Sequence, residues 1–244
     1  MALLPQLGRG FADTVFPPVC VHCRGLVETE GRFRHLCTRC AAQLEWVEPP
    51  FCEVCGHPFY GMVLGERTCP HCVGLQPEFG AGRTAVLFKG PARALVIELK
   101  YPRWLYVLRD LETIFRAAPH VLNHVRGGIL VPVPLHPRKL RERGFNQTAL
   151  LAETLARAAE GGTSVAHLLR RVADTQTQTA FDRRTRLTNL KNAFALAAGA
   201  SITPAQHYIL IDDVFTTGST LNSCAHALRR EGCLNLDVVT FGHG

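Results

Sequence analysis

The chain has no apolar stretch approaching the roughly 20 residues that a membrane-spanning helix needs. Its N-terminus also lacks the basic start, apolar core and small-residue cleavage site of a secretory leader. The expectation from these two absences is a soluble, cytoplasmic protein with no membrane span. Charged residues are few, 19% of 244, against 47% apolar, a balance that fits an ordinary folded protein. The length allows one sizeable core and a small accessory module.

Ten cysteines stand out against this background, and eight form Cys-x-x-Cys pairs: Cys20 with Cys23, Cys37 with Cys40, Cys52 with Cys55, and Cys69 with Cys72. The second two pairs repeat the first two at an offset of 32, with thirteen residues between the pairs of each half. Four thiolates at this spacing close tetrahedrally on zinc, so two structural zinc sites are predicted, each built from consecutive pairs. Disulfides in a secreted protein are the alternative, and paired spacing without a leader favours metal in a reducing compartment. His22 and His71 lie inside such pairs, but each site already has four thiolates. Cys224 and Cys233 read as buried packing residues.

The net charge of +7 is uneven. Residues 1–76 carry 6 Lys/Arg and 7 Asp/Glu, whereas 77–244 carry 21 and 13. Between Arg126 and Lys191 there are 12 basic and 5 acidic side chains. Such a field favours polyanions: a diphosphate, a nucleotide or nucleic acid. A solvated basic face is the plainer reading of any single cluster.

Residues 1–16 place Leu3, Leu4, Leu7 and Phe11 at helical spacing. The cysteine modules complete a first domain, 1–76, in which little apolar content leaves the metal to supply most of the folding energy. From 77 to 244 the pattern is α/β. A strand is predicted over 84–88 and helices over 91–100 and 105–115. The apolar run 129–134 suits a buried strand that turns outward into a loop at 135–145. Asn146 caps a helix carrying Leu150, Leu151, Leu155 and Ala158. The polar segment 173–192 reads as a long functional loop. A strand over 208–211 precedes Asp212 and Asp213, and a helix carrying Leu221, Cys224 and Leu228 ends near Gly232. Repeated strand, helix and strand predict a mainly parallel sheet with helices on both faces and a site at the carboxyl ends of its strands.

That site centres on Asp212-Asp-Val-Phe-Thr-Thr-Gly-Ser-Thr220. A helix N-terminus preceded by Thr216, Thr217, Gly218, Ser219 and Thr220 is a cradle for a phosphate monoester. Asp212 and Asp213 can accept hydrogen bonds from two vicinal sugar hydroxyls and place negative charge beside a sugar ring that becomes cationic. A strand-end turn with one Asp as helix cap explains only one of the two acids. Apart from this pair and the histidines, of which His136 and His207 stand nearest by position, no general base is evident.

The same stretch resembles the phosphoribosyl diphosphate (PRPP) signature of type I phosphoribosyltransferases. Val131-Pro-Val-Pro-Leu-His-Pro-Arg138, Arg143-Gly-Phe-Asn-Gln147, Leu99-Lys-Tyr101, and Gln178 with Arg186 and Asn189 resemble blocks of the ComF family, competence-associated proteins that open with a double zinc ribbon. Pro102-Arg103 departs from that family's pattern, which often has glycine there. The resemblance implies a type I phosphoribosyltransferase-like fold in which Asp212 and Asp213 hold the ribose hydroxyls and residues 216–220 bind the phosphate. It also implies that Lys100, Arg138, Arg141 and Arg143 act on the diphosphate with magnesium, and that a lid carries Gln178, Arg183 and Arg186. The partners it implies are PRPP or a related phosphosugar, single-stranded DNA, and a DNA-uptake helicase or other competence protein. Two functions follow: a phosphoribosyltransferase acting in natural transformation, or a non-catalytic single-stranded-DNA-binding accessory.

Overall fold

The computed structural model describes residues 17–61, 68–172 and 193–244, with the side chains of 102–104 excepted. The helix expected over 1–16 and the lid residues Gln178, Arg183 and Arg186 lie outside the described residues. One helical turn, α1 (Thr38–Ala41), belongs to the cysteine region. Then follow β1 (Gly82–Leu87), α2 (Gly90–Glu98), a 3-10 segment (Pro102–Val107), α3 (Leu108–Arg116), α4 (Pro119–Val125), β2 (Ile129–Pro132), α5 (Pro137–Arg143) and α6 (Gln147–Ala159). The chain continues with β3 (Ser164–Val165), β4 (Leu169–Arg171), β5 (Phe194–Leu196), β6 (His207–Phe215), α7 (Ser219–Arg230) and β7 (Asn235–His243).

Five strands form one sheet in the order β1-β7-β6-β2-β3, every pairing parallel, while β4 and β5 make a separate antiparallel ribbon. Alternation along the strands divides the core into two layers. Ile209, Ile211, Val239 and Phe241 pack with Leu95, Leu111, Phe115 and Leu155 of the helices on one face. Tyr208, Leu210, Leu236 and Val238 pack with Leu221, Ala225 and Leu228 of α7 on the other. Each large side chain buried in this way contributes about 1.5 to 3 kcal/mol.

Three expectations need correction. Strand β6 does not stop at Ile211: Asp212 pairs in register with Thr240 and Val214 with Gly242. Both acids lie in the second half of the strand; Asp213 stays partly exposed while the Asp212 carboxyl is buried beside it, so the ladder does not enclose two charges. The outward loop at 135–145 is largely helix α5, begun by Pro137 and by His136, whose side chain accepts from the Arg138 N–H, and closed by left-handed Gly144. The helix expected over 105–115 opens as 3-10 and becomes α-helical only from Leu108. Asn146 does cap α6, accepting from the Thr148 N–H at 3.3 Å.

The cysteine modules clasp opposite faces of this sheet. Val21, Phe33 and Leu36 of the first join the helical layer, so apolar contacts supplement whatever the metal supplies. Its main polar anchor is the fully buried Asp110 of α3, which accepts the N–H groups of Arg34 at 2.9 Å and His35 at 2.7 Å. The second module rests on the α7 layer and on β1. The Thr84 hydroxyl donates to the Cys55 carbonyl at 3.1 Å, and the Gly82 N–H donates to the Glu53 carbonyl at 2.7 Å. Gly56, at φ +75°, approaches β1 so closely that a Cβ there would strike the Thr84 backbone. Between the modules, Trp46 forms an antiparallel bridge to Val86 along the outer edge of β1.

Candidate functional site

The carboxyl end of β2 lies beside the middle of β6: Pro132 pairs with Ile211, and the Val133 N–H donates to the Ile211 carbonyl at 3.0 Å. The segment leading into α5 therefore leaves the sheet beside Asp212 and Asp213. The Asp213 N–H donates to Asp212 Oδ1 at 2.8 Å. Lys100, two residues beyond α2, brings its Nζ to 3.9 Å from Asp213 Oδ2. Burial, and then the neighbouring charge of Asp213, hold the Asp212 carboxyl well above the usual carboxylate range, while the Asp213 N–H and Lys100 act the other way. Toward α7, burial and the charge of Asp212 push the Cys224 thiol up, in keeping with a packing residue.

Gly218 introduces α7 with φ +70°, and a Cβ on it would run into the Phe215 ring. Glycine is thus required by conformation and by space, and the backbone of 216–219 stays open to an approaching anion. The Thr217 and Ser219 hydroxyls lie 2.8 Å apart, and the Ser219 N–H donates to Thr217 Oγ1 at 3.4 Å. Thr216 is exposed and Thr220 half-buried at this end of the helix.

The three arginines expected at the diphosphate, Arg138, Arg141 and Arg143, all belong to α5. Arg138 pairs with Glu142 at 3.0 Å, and Arg143 donates to Gln147 Oε1 at 2.9 Å. Arg141 is exposed and makes no ion pair among the described residues. His136 is the cap of that helix. His207 opens β6, at the end of the strand away from the acids, and lies 2.9 Å from Asp237 Oδ2, so it is not part of this site.

Both four-cysteine groups close on themselves. The sulfurs of Cys20, Cys23, Cys37 and Cys40 lie within 4.8 Å of one another, as do those of Cys52, Cys55, Cys69 and Cys72. The donor set fits zinc, and the pairing follows the sequential order. In the first group burial raises the Cys20 thiol, but N–H donors of Cys23, Cys37 and His22 outweigh it and bring the thiol down to about 7, whereas burial and the neighbouring sulfurs push the Cys40 thiol up. Cys23 is exposed, whereas all four cysteines of the second group are buried.

DNA utilization protein YhgH of Salmonella typhimurium is 31% identical over 229 residues, covering 91% of this chain and 95% of its own. Competence protein F of Haemophilus influenzae is 29% identical over 223 residues, 90% and 94% of the two chains. The chain belongs to the ComF family. Residues 11–73 match the double zinc ribbon domain family, in agreement with the two four-thiolate groups of this ComF chain. A solved hypoxanthine phosphoribosyltransferase from Staphylococcus aureus is similar over 55% of this chain and 62% of its own, at 17% identity and a TM-score of 0.35, a weak likeness beside which the sheet order is the fuller description of the fold. No helix among the described residues is long and apolar enough to cross a membrane.

One contact of the ComF chain went unread in its sequence. His243, at the end of β7, brings Nε2 to 3.3 Å from Cys55 Sγ and stacks its ring on Phe215, with centroids 5.2 Å apart. It thereby joins the second cysteine group to the end of β6, through a pair 188 residues apart in sequence that no local pattern signals.

Proposed function

We propose that the cleft at the carboxyl ends of β2 and β6 binds PRPP with magnesium and that the protein serves the uptake or use of DNA inside the cell. The observation that carries this reading is the Asp212-Asp213 pair at the end of a central strand, followed directly by left-handed Gly218 and the N-terminus of α7. The two carboxylates accept hydrogen bonds from the 2- and 3-hydroxyls of ribose. The N–H groups and hydroxyls of 216–220 hold the 5-phosphate. Lys100, Arg138, Arg141 and Arg143 answer the charge of the diphosphate. Magnesium, when bound with the diphosphate, neutralises its oxygens as charge develops. Phosphoribosyl transfer breaks the C1–O bond, diphosphate leaves with the electron pair, and a nucleophile bonds to C1. Asp212 and Asp213 lower the cost of positive charge on the ring as this happens. The DNA role is supported by relatives named competence protein F and DNA utilization protein YhgH.

Calorimetry with PRPP and magnesium tests the pocket. Binding by the wild type that is lost in Asp212→Asn and Asp213→Asn is expected; no binding by zinc-loaded wild type removes the reading. Exposed Arg138, Lys139 and Arg141 favour a second reading, a non-catalytic grip on single-stranded DNA beside the cleft. Its signature is DNA binding that weakens steeply with salt and persists in Asp212→Asn.

A further inference from the structure

Behind the second cysteine group three histidines converge from distant parts of the chain. His57 follows the Cys52/Cys55 knuckle, His71 sits inside the Cys69/Cys72 pair, and His243 ends β7. One ring nitrogen from each lies within 4.8 Å of the other two, and the ring centroids are 4.6, 4.8 and 4.8 Å apart. Nδ1 of His57 is buried without a hydrogen-bond partner.

His243 packs directly against the second cysteine group: its Nδ1 lies 3.1 Å from the Gly244 carbonyl and its Nε2 3.3 Å from Cys55 Sγ. The four thiolates already complete their own tetrahedron, so the histidines are not needed there.

We propose that His57, His71 and His243 form a third metal site, for a divalent transition ion of the zinc type, separate from the two four-cysteine sites. Three imidazoles without a carboxylate select zinc, cobalt, nickel or copper over magnesium and calcium. Zinc–nitrogen bonds of about 2.1 Å set tetrahedral neighbours about 3.4 Å apart, so small rotations of the rings bring nitrogens now within 4.8 Å into place. His57 and His71 are half-buried, which gives the ion a path from solvent, and the fourth position falls to water. The site does not depend on what the sugar-phosphate cleft binds.

Metal content after equilibrium dialysis in buffered free zinc, measured by elemental mass spectrometry, is the test. Three ions per wild-type chain are expected, and two in His57→Ala and in His243→Ala. Cobalt substitution separates the sites, because the cysteine sites give intense thiolate charge-transfer bands and a three-histidine site gives only weak ligand-field bands. Loss of the weak bands alone in both variants, with cooperative melting retained, supports the proposal. His57 lies on the more open side of the trio, so its variant guards against a folding defect in His243→Ala. Two ions in the saturated wild type, or variants that still bind three, overturn it.

Discussion

The two cysteine modules share one ligand pattern and occupy opposite environments. The first leaves Cys23 in water and fastens to the helical layer through Asp110. The second buries all four sulfurs and reaches the turn before α7, through His243 against Phe215 and Leu75 beside Gly218. The same spacing thus yields an outer fastening in one copy and a support for the β6–α7 turn in the other. Ligand spacing fixes the coordination; the surrounding layers fix what each ion holds in place.

Substituting one thiolate in each module should break this comparison most sharply. Cys55→Ser is expected to release the second zinc and remove the main cooperative unfolding transition, since structural zinc contributes on the order of 10 kcal/mol in small zinc domains. Cys23→Ser should leave the sheet folded, and a chromophoric chelator should take zinc from the wild type in two phases, the exposed first group leading. The polar anchors come next. Asp110→Ala strands two backbone N–H groups and should cost about 2 to 4 kcal/mol in denaturant unfolding. Thr84→Val, which loses the bonds to the Cys55 carbonyl and the Thr240 hydroxyl, should cost about 1 to 2 kcal/mol.

Asp212→Asn should separate the cleft from both modules: zinc content unchanged, PRPP binding lost, and melting temperature raised by about 2 to 4 °C for each ~1 kcal/mol gained. The sign follows from burial, which raises this carboxyl in the folded state. The folded chain then binds its proton more tightly than the unfolded chain, so the wild type loses stability relative to Asp212→Asn as pH rises through that raised value. The smallest effect belongs to Lys89→Ala. It breaks an exposed pair with Glu45 at 2.7 Å and should leave the denaturation midpoint unchanged within error.

The eight thiolates, the acid pair and the glycine-containing turn into α7 were legible in the sequence because each is a local constellation of closely spaced residues. Strand β7 was not, although Leu236, Val238, Val239 and Phe241 serve the two core layers, because a short apolar run carries no mark of the strands it pairs with. The start of α5 carried a readable signal, Pro137 after a residue able to cap, which the neighbouring prolines obscured. Strand order, the Asp110 anchor and the histidine trio join residues 75 or more positions apart in most of their contacts, and no window of sequence contains both partners.

The stretch between the modules has a consequence for solubility. The Leu87 N–H donates to the Glu45 carbonyl at 2.8 Å and the Val47 N–H to the Ala85 carbonyl at 3.1 Å, so the chain itself covers the outer edge of β1. An uncovered strand edge is a template for pairing with another copy. A molecule short of zinc would lose the hold on this cover and meet its neighbours edge to edge, so metal starvation should show first as clumping.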